Sequence, residues 1–291
     1  LTAESRKLKG LLEKLYAKYN HRRFIPPDPL QFVYRYQNPA DQELVGFLSA
    51  ILAYGRVSQI QKNLQQLLAP MGASPRLFLE HFSSRDRKLL GSFKHRFTTA
   101  EHIADLLGLL QRILGCTGSI ERFFCLSCRS RDENILPALT DFCNRLYASY
   151  EKCYRRPVSR QMRFLLAAPG PGPAKRLNLF LRWMVRKDNV DPGLWHSIDK
   201  RKLIVPVDVH IARLCRHLSF CRQKNISLTM AVRITRRFTE LSPSDPVKYD
   251  FALTRLGILN RCSRRPQQGC SDCELFACCR PANLAARPRI P

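Results

Sequence analysis

The chain has 291 residues, 45% of them hydrophobic, and a formal net charge of +26 from 49 Lys plus Arg against 23 Asp plus Glu. That size suits one large domain or two that share a core, and the apolar fraction is that of an ordinary globular protein. The charge favours a polyanion such as DNA, RNA or an anionic membrane surface. A membrane-spanning helix is not expected: the most apolar long stretch, residues 164–185, is broken by Pro169, Gly170, Pro171, Gly172, Pro173, Lys175, Arg176 and Arg182.

In chain order, residues 1–16 alternate charged and apolar residues, which predicts an amphipathic helix and not a signal peptide. Asn38-Pro39 reads as a helix cap followed by proline at the first helical position. Leu44, Val45, Phe47, Leu48, Ile51 and Leu52 then recur at helical spacing, up to a break at Tyr54-Gly55-Arg56. Ile60, Leu64, Leu67 and Leu68 resume the pattern, and Ile103, Leu106, Leu107, Leu110, Ile113 and Leu114 mark another helix. Residues 177–185, 209–218 and 231–238 continue the theme. Breaks are expected near Met71-Gly72, Pro157, 169–173, 188–192 and 242–246, and the tail from 282 to 291 shows no periodicity and is expected to be poorly ordered. Alternating period-two runs are scarce, so the fold class is all-α.

Three features carry chemistry. Pro169-Gly170-Pro171-Gly172 lies between two helical segments, where glycine would permit left-handed backbone and close approach. The amides at the start of the next helix would then form a phosphate site. Lys175-Arg176-Leu177-Asn178 opens that helix, where Lys175 reads as a phosphate contact at a helix start. The second feature is Val205-Pro206-Val207-Asp208-Val209-His210, in which Asp208 stands just before an amphipathic helix, the position of an N-cap. His210 is expected to pack or hydrogen-bond locally. The third is a run of cysteines: Cys262, seven residues, Cys270, two residues, Cys273, then five residues to Cys279 or four to Cys278. Four thiolates suit an iron–sulfur cluster or zinc. Twelve cysteines without a signal peptide fit a reduced cytosol better than a disulfide framework. Cys125-x-x-Cys128 has no partner pair and reads as two packed thiols.

Together these features resemble the helix-hairpin-helix DNA glycosylases of the endonuclease III superfamily. The family's hairpin is P-G-x-G, and in its bifunctional members a catalytic Lys follows. Placing Lys175 on that Lys also places Asn178 on a family Asn, and requires one extra hairpin residue. The family's V-D-T-H or V-D-V-H motif carries its catalytic Asp, which falls on Asp208. The interval from Lys175 to Asp208 is longer than in most branches, and residues 186–202 read as an inserted polar loop. That length and the wording P-V-D-V-H are similar to 8-oxoguanine glycosylases. Residues 47–56 resemble the family helix after which a residue pushes into the DNA stack, a neighbourhood that Tyr54 or Arg56 would occupy. The family's cluster loop, C-x6-C-x2-C-x5-C, holds a [4Fe–4S] cube, which the resemblance places on Cys262, Cys270, Cys273 and Cys279.

The resemblance implies an all-α, two-domain fold: a helical barrel over 41–185 ending in the hairpin, and a second domain of 1–40 plus 186–291 with the cluster loop. It implies a DNA glycosylase of base excision repair that removes a damaged base, 8-oxoguanine first among the candidates, with associated AP-lyase activity. Asp208 and Lys175 would be catalytic; Gly170, Gly172, Tyr54 and Arg56 would bind DNA. The partner would be double-stranded DNA, the protein a monomer, its location the cytoplasm at the nucleoid. Two other readings stand beside this one: a noncatalytic DNA-binding protein of the same fold, and a zinc-stabilised RNA-binding protein.

Overall fold

A computed structural model describes residues 2–259, 262 and 270–279. The tail from 282 onward lies outside the described residues, so the expectation made for it has no counterpart below. Among the described residues the chain is mostly helical, with one two-stranded hairpin, Lys94–His95 (β1) and Thr98–Thr99 (β2). None of the described helices is long and apolar enough to cross a membrane.

The expected caps and periods form as helices. The first, α1, runs Ala3–Tyr19 and buries Leu8, Leu12, Leu15 and Tyr19 on one face. α2 runs Pro39–Ile51; the Asn38 side chain accepts from Ala40 N at 2.8 Å and Pro39 occupies the first turn, where its missing N–H costs nothing. Almost all of α2 is buried, so it is the central helix of its half. α3 is Val57–Leu68, α4 Pro75–Glu80, α5 Ala100–Thr117, α6 Ile120–Cys125, α7 Leu136–Tyr154, α8 Arg160–Leu166 and α9 Lys175–Val185. α10 is Val209–His217, α11 Leu228–Leu241 and α12 Asp250–Leu259.

α2 packs on α9, on a 3-10 segment, Pro29–Arg35, and on α4, from which α5, α6 and α7 follow, each packed on the one before. Gly46 sets the α2–α9 approach, because a Cβ there would stand 2.9 Å from Met184 Cε. α10 packs on α12, and α12 and α11 pack on α1. The apolar residues of both groups form one continuous core, with Trp183, Phe47 and Phe180 fully enclosed. Burying each such ring contributes about 1.5–3 kcal/mol.

One expectation differs. The polar segment 186–202 is not a solvated insertion. Asp191 is fully buried and Arg186, Val190 and Trp195 nearly so. Arg186 bonds Asp188 at 2.6 Å, Asp191 at 2.7 Å and Asp245 at 2.8 Å, and Arg182 of α9 bonds Asp191 at 3.1 Å and also Asp250. Tyr16 of α1 donates to Asp188 at 2.8 Å. The segment folds back tightly: Gly193 has φ +61°, and a Cβ there would lie 2.4 Å from Lys187 Cβ. Arg186, Asp188 and Asp191 are internal struts joining α1, α9 and α12, whereas Lys187, Lys200 and Arg201 of the same segment are exposed.

Candidate functional site

α8 and α9 form a helix–loop–helix whose connection contains Gly170 and Gly172. Both glycines are exposed, and neither takes positive φ. The left-handed residues are Ala167 (φ 45°), which ends α8, and Ala174 (φ 48°), which begins α9. The reason expected for glycine here therefore fails within the chain. A Cβ on Gly172 would meet nothing within 4 Å, so what glycine leaves is room on the outer surface. No side chain caps α9, and its first-turn amides stay open.

Lys175 is the first residue of α9 and Asp208 is the N-cap of α10; the fold brings them together. Asp208 Oδ1 accepts from His210 N and Ile211 N, each at 2.9 Å. Its second oxygen, Oδ2, stands 3.7 Å from Lys175 Nζ. The cap and the Lys-facing carboxylate thus coexist in one side chain, each oxygen with its own task. Both side chains remain open, Lys175 at 33% and Asp208 at 20%. His210 packs against Gly257 of α12.

Behind this pair lies the buried charge cluster. Asp250, at the start of α12, is pushed up to about 6: burial raises it most, Arg182 opposes, and the charge of Asp208 adds to the rise. Arg255 is near enough for Asp208 and Asp250 to bear on its charge, and bonds Asp28 at 3.2 Å.

Beside Lys175 in sequence, Arg176 turns inward. It donates to Ile51 O at 2.8 Å and to Phe164 O, and lies over the rings of Tyr54 (4.8 Å) and Phe164 (4.6 Å). Burial lowers its pKa to about 10. Tyr54 is held in place: its hydroxyl donates to His95 O at 2.8 Å and meets Thr98 Oγ1 at 2.7 Å, and its ring packs on His95 and Phe164. The site expected to penetrate a partner is therefore a fixed part of the frame, whereas Arg56, the residue before α3, is exposed. Sequence reasoning passed over Phe97, at the hairpin tip, and Phe164, on α8, both exposed beside Tyr54. Phe164 sat in the stretch tested for a membrane span, and Phe97 in no periodic run.

A family model described as "Protein of unknown function (DUF2400)" matches residues 28–259. The chain belongs to the DUF2400 family. No curated protein and no solved structure matches it. The part shared with DUF2400 holds Lys175, Asp208, the glycine loop and the aromatic residues around Arg176, and stops short of Cys262.

Beyond the DUF2400 match, Cys262 lies against α10, with Arg213 donating to its carbonyl and His217 Nδ1 3.7 Å from its thiol, and the segment around Cys278 lies against α1. Glu274 pairs with Lys18, and Cys278 has Lys7 and Glu4 as its charged neighbours. Cys262 is pushed up to about 11 by burial, and next by the charges of Cys279, Cys273 and Cys270. Among the described residues no three His, Cys, Asp or Glu side chains stand in metal-holding geometry. Cys125 and Cys128 form a turn, with Cys128 N donating to Cys125 O at 3.1 Å and the Cys128 thiol hydrogen-bonding to Cys125, which lowers the Cys125 pKa.

Proposed function

We propose that this protein is a DNA glycosylase with associated lyase chemistry, acting as a monomer on a damaged base in double-stranded DNA. The observation that carries the reading is the approach of Lys175 Nζ to Asp208 Oδ2 at 3.7 Å, from two helix starts widely separated in sequence. An amine and a carboxylate so placed can divide the work. Asp208 takes a proton from Lys175, and the freed amine attacks the anomeric carbon as the base departs. The departing base takes up that proton, which restores the Asp208 carboxylate beside the positive charge that develops on the sugar, where a fixed anion stabilises it most. The amine becomes a Schiff base, from which the strand can be cut. The two helix-start backbones hold both groups, so little reorganisation is needed.

The fold that goes with this reading is the two-domain helix-hairpin-helix arrangement, 41–185 against 1–40 plus 186–291, with DNA across the Lys175–Asp208 face. The open amides of α9 and the space outside Gly170 and Gly172 accommodate a phosphate. The base must leave the stack to reach the pair; 8-oxoguanine is the first substrate to try. In a cell this places the protein at the nucleoid.

Cys262, Cys270, Cys273 and Cys279 are thiols of the kind that a sulfur-bound [4Fe–4S] cluster, or zinc as the alternative, would take as ligands, though no three of them stand in metal-holding geometry in this structure. When bound, the group would supply a fixed, charged brace for the last turn of the chain. Purified protein carrying iron and acid-labile sulfide supports the cluster, and zinc alone rejects it.

Oligonucleotides each carrying one damaged base test the activity. Asp208→Asn should lower base release by about 10²–10³-fold or more while DNA binding persists. Full release in that variant removes Asp208 from catalysis. Borohydride should trap the wild type on its substrate and fail to trap Lys175→Ala; trapping that survives moves the nucleophile elsewhere. Release of no base by the wild type rejects the glycosylase reading.

A further inference from the structure

The hairpin β1–β2 is built to hold one side chain out. Arg96 and Phe97 form its two-residue tip. Arg96 takes φ 53°, a left-handed conformation that non-glycine residues adopt at a cost of about 1–2 kcal/mol. The strands below are clamped. His95 is fully buried, its Nε2 2.8 Å from Tyr54 O and its Nδ1 2.8 Å from Asn63 Nδ2. Asn63 also donates to Lys94 O at 2.9 Å, and the Tyr54 hydroxyl bridges His95 O and Thr98. Above this frame Phe97 is 57% exposed and Phe164 40% exposed, edge to face with centroids 5.7 Å apart. Phe164 rests in turn on Tyr54 and under Arg176, the residue next to Lys175.

Two large aromatic rings left in water on a rigid frame are out of keeping with the rest of the core, and their surroundings say what covers them. Lys94, Arg96, Arg56 and Arg160 are exposed nearby in sequence or on the same elements. None of the four has an acidic partner within salt-bridge reach among the described residues. An apolar surface rimmed by cations that lack an acidic partner, with Arg96 itself over the Phe97 ring at 5.4 Å and able to swing to a phosphate when a base takes its place, suits a π-face attached to phosphates.

We infer that Phe97, backed by Phe164, is a stacking platform for a base of DNA that stands out of the duplex stack, with Arg56 and Arg96 on the flanking phosphates. This rests on the reading that the protein works on DNA, and it adds a base-contacting element separate from the Lys175–Asp208 pair. The hairpin positions the strand; it takes no part in bond cleavage.

The test uses full-length protein and a duplex with a single bulged 2-aminopurine, read by fluorescence anisotropy for affinity and by 2-aminopurine emission for stacking. Wild type should bind and lower the emission. Phe97→Ala should weaken binding by about 5- to 150-fold, the range that corresponds to one stacked base, and leave the emission high. Phe97→Trp should bind at least as tightly as wild type, while Phe97→Leu should behave as Phe97→Ala. Circular dichroism and thermal melting keep a misfolded variant from being counted. If wild type binds DNA and Phe97→Ala or Phe97→Leu matches it in both signals, the platform is overturned and the proposed activity stands. If wild type binds no DNA, the platform and the proposed activity fail together.

Discussion

Arginine does opposite work in two regions of this molecule. In the cluster behind Asp208, Arg182 and Arg186 are only 3% exposed and are ringed by Asp188, Asp191, Asp245 and Asp250. At the hairpin face, Arg56 and Arg96 are exposed and have no acidic partner within salt-bridge reach among the described residues. The first region consumes its charge internally, each guanidinium facing more than one carboxylate. The second presents its charge to whatever approaches. The formal +26 is therefore not an even coat; the arginines that could meet a polyanion are those the acidic residues leave alone.

The sharpest way to break this contrast is to remove one buried arginine. Arg182→Ala would strand Asp250 without its guanidinium and leave Asp191 with Arg186 alone, and truncating one partner of a buried pair costs about 3–5 kcal/mol. Urea denaturation should show that loss, whereas Arg237→Ala, which frees only exposed Glu240, should cost under about 1 kcal/mol. Equal midpoints for the two variants would erase the distinction. The same cluster has a pH signature. Asp250 is held above its ordinary value, at about 6, so the folded chain binds its proton more tightly than the unfolded chain does. The stability contributed by that group is whole below about pH 4 and is lost as pH rises through about 6. Wild type minus Asp250→Asn should therefore show a stability difference that declines from pH 4 to pH 7; a flat difference would mean that Asp250 does not titrate in that interval.

At the exposed face the expected effect is smaller in stability and appears in binding. Arg56→Ala and Arg96→Ala should each leave the denaturation midpoint within about 0.5 kcal/mol of wild type. Each should reduce the slope of log affinity against log salt by about 0.9 if it meets one phosphate. An unchanged slope would show that these cations face no phosphate, and the comparison with the buried cluster would lose its functional side.

Much of this was legible from sequence where the signal is local. The Asn38-Pro39 cap, the break at Gly55 and the helix start at Asp208 depend on backbone hydrogen bonds within a few residues, and each forms where the pattern placed it. α7 went unmarked in the sequence, although Leu139, Phe142, Leu146 and Tyr150 recur at helical spacing. The segment 186–202 was not legible. Whether an Asp beside an Arg is solvated or buried depends on partners that arrive from α1, α9 and α12, and composition alone favours solvent. The Lys175–Asp208 approach was suggested by resemblance and not by spacing, because no short-range rule relates two helix starts. The meeting of Phe97 with Phe164 had no signal in the sequence at all, being a contact between a hairpin tip and a helix flank.

The smallest effect is the most discriminating for the glycine loop. Gly172 does not have positive φ and a Cβ there meets nothing, so Gly172→Ala should be tolerated by the folded chain. Restricting the unfolded chain at a compatible position stabilises by about 0.4–1 kcal/mol, so the melting temperature should hold or rise slightly. If the loop instead serves to let a phosphate reach the open amides of α9, the added methyl lies on the approach path, and DNA affinity should fall although stability does not. The two readouts move apart only when glycine is kept for a partner. A variant that binds DNA as wild type does would make the loop a plain connector, and the phosphate contact would have to be sought at Lys175 or on the arginine-rimmed hairpin instead.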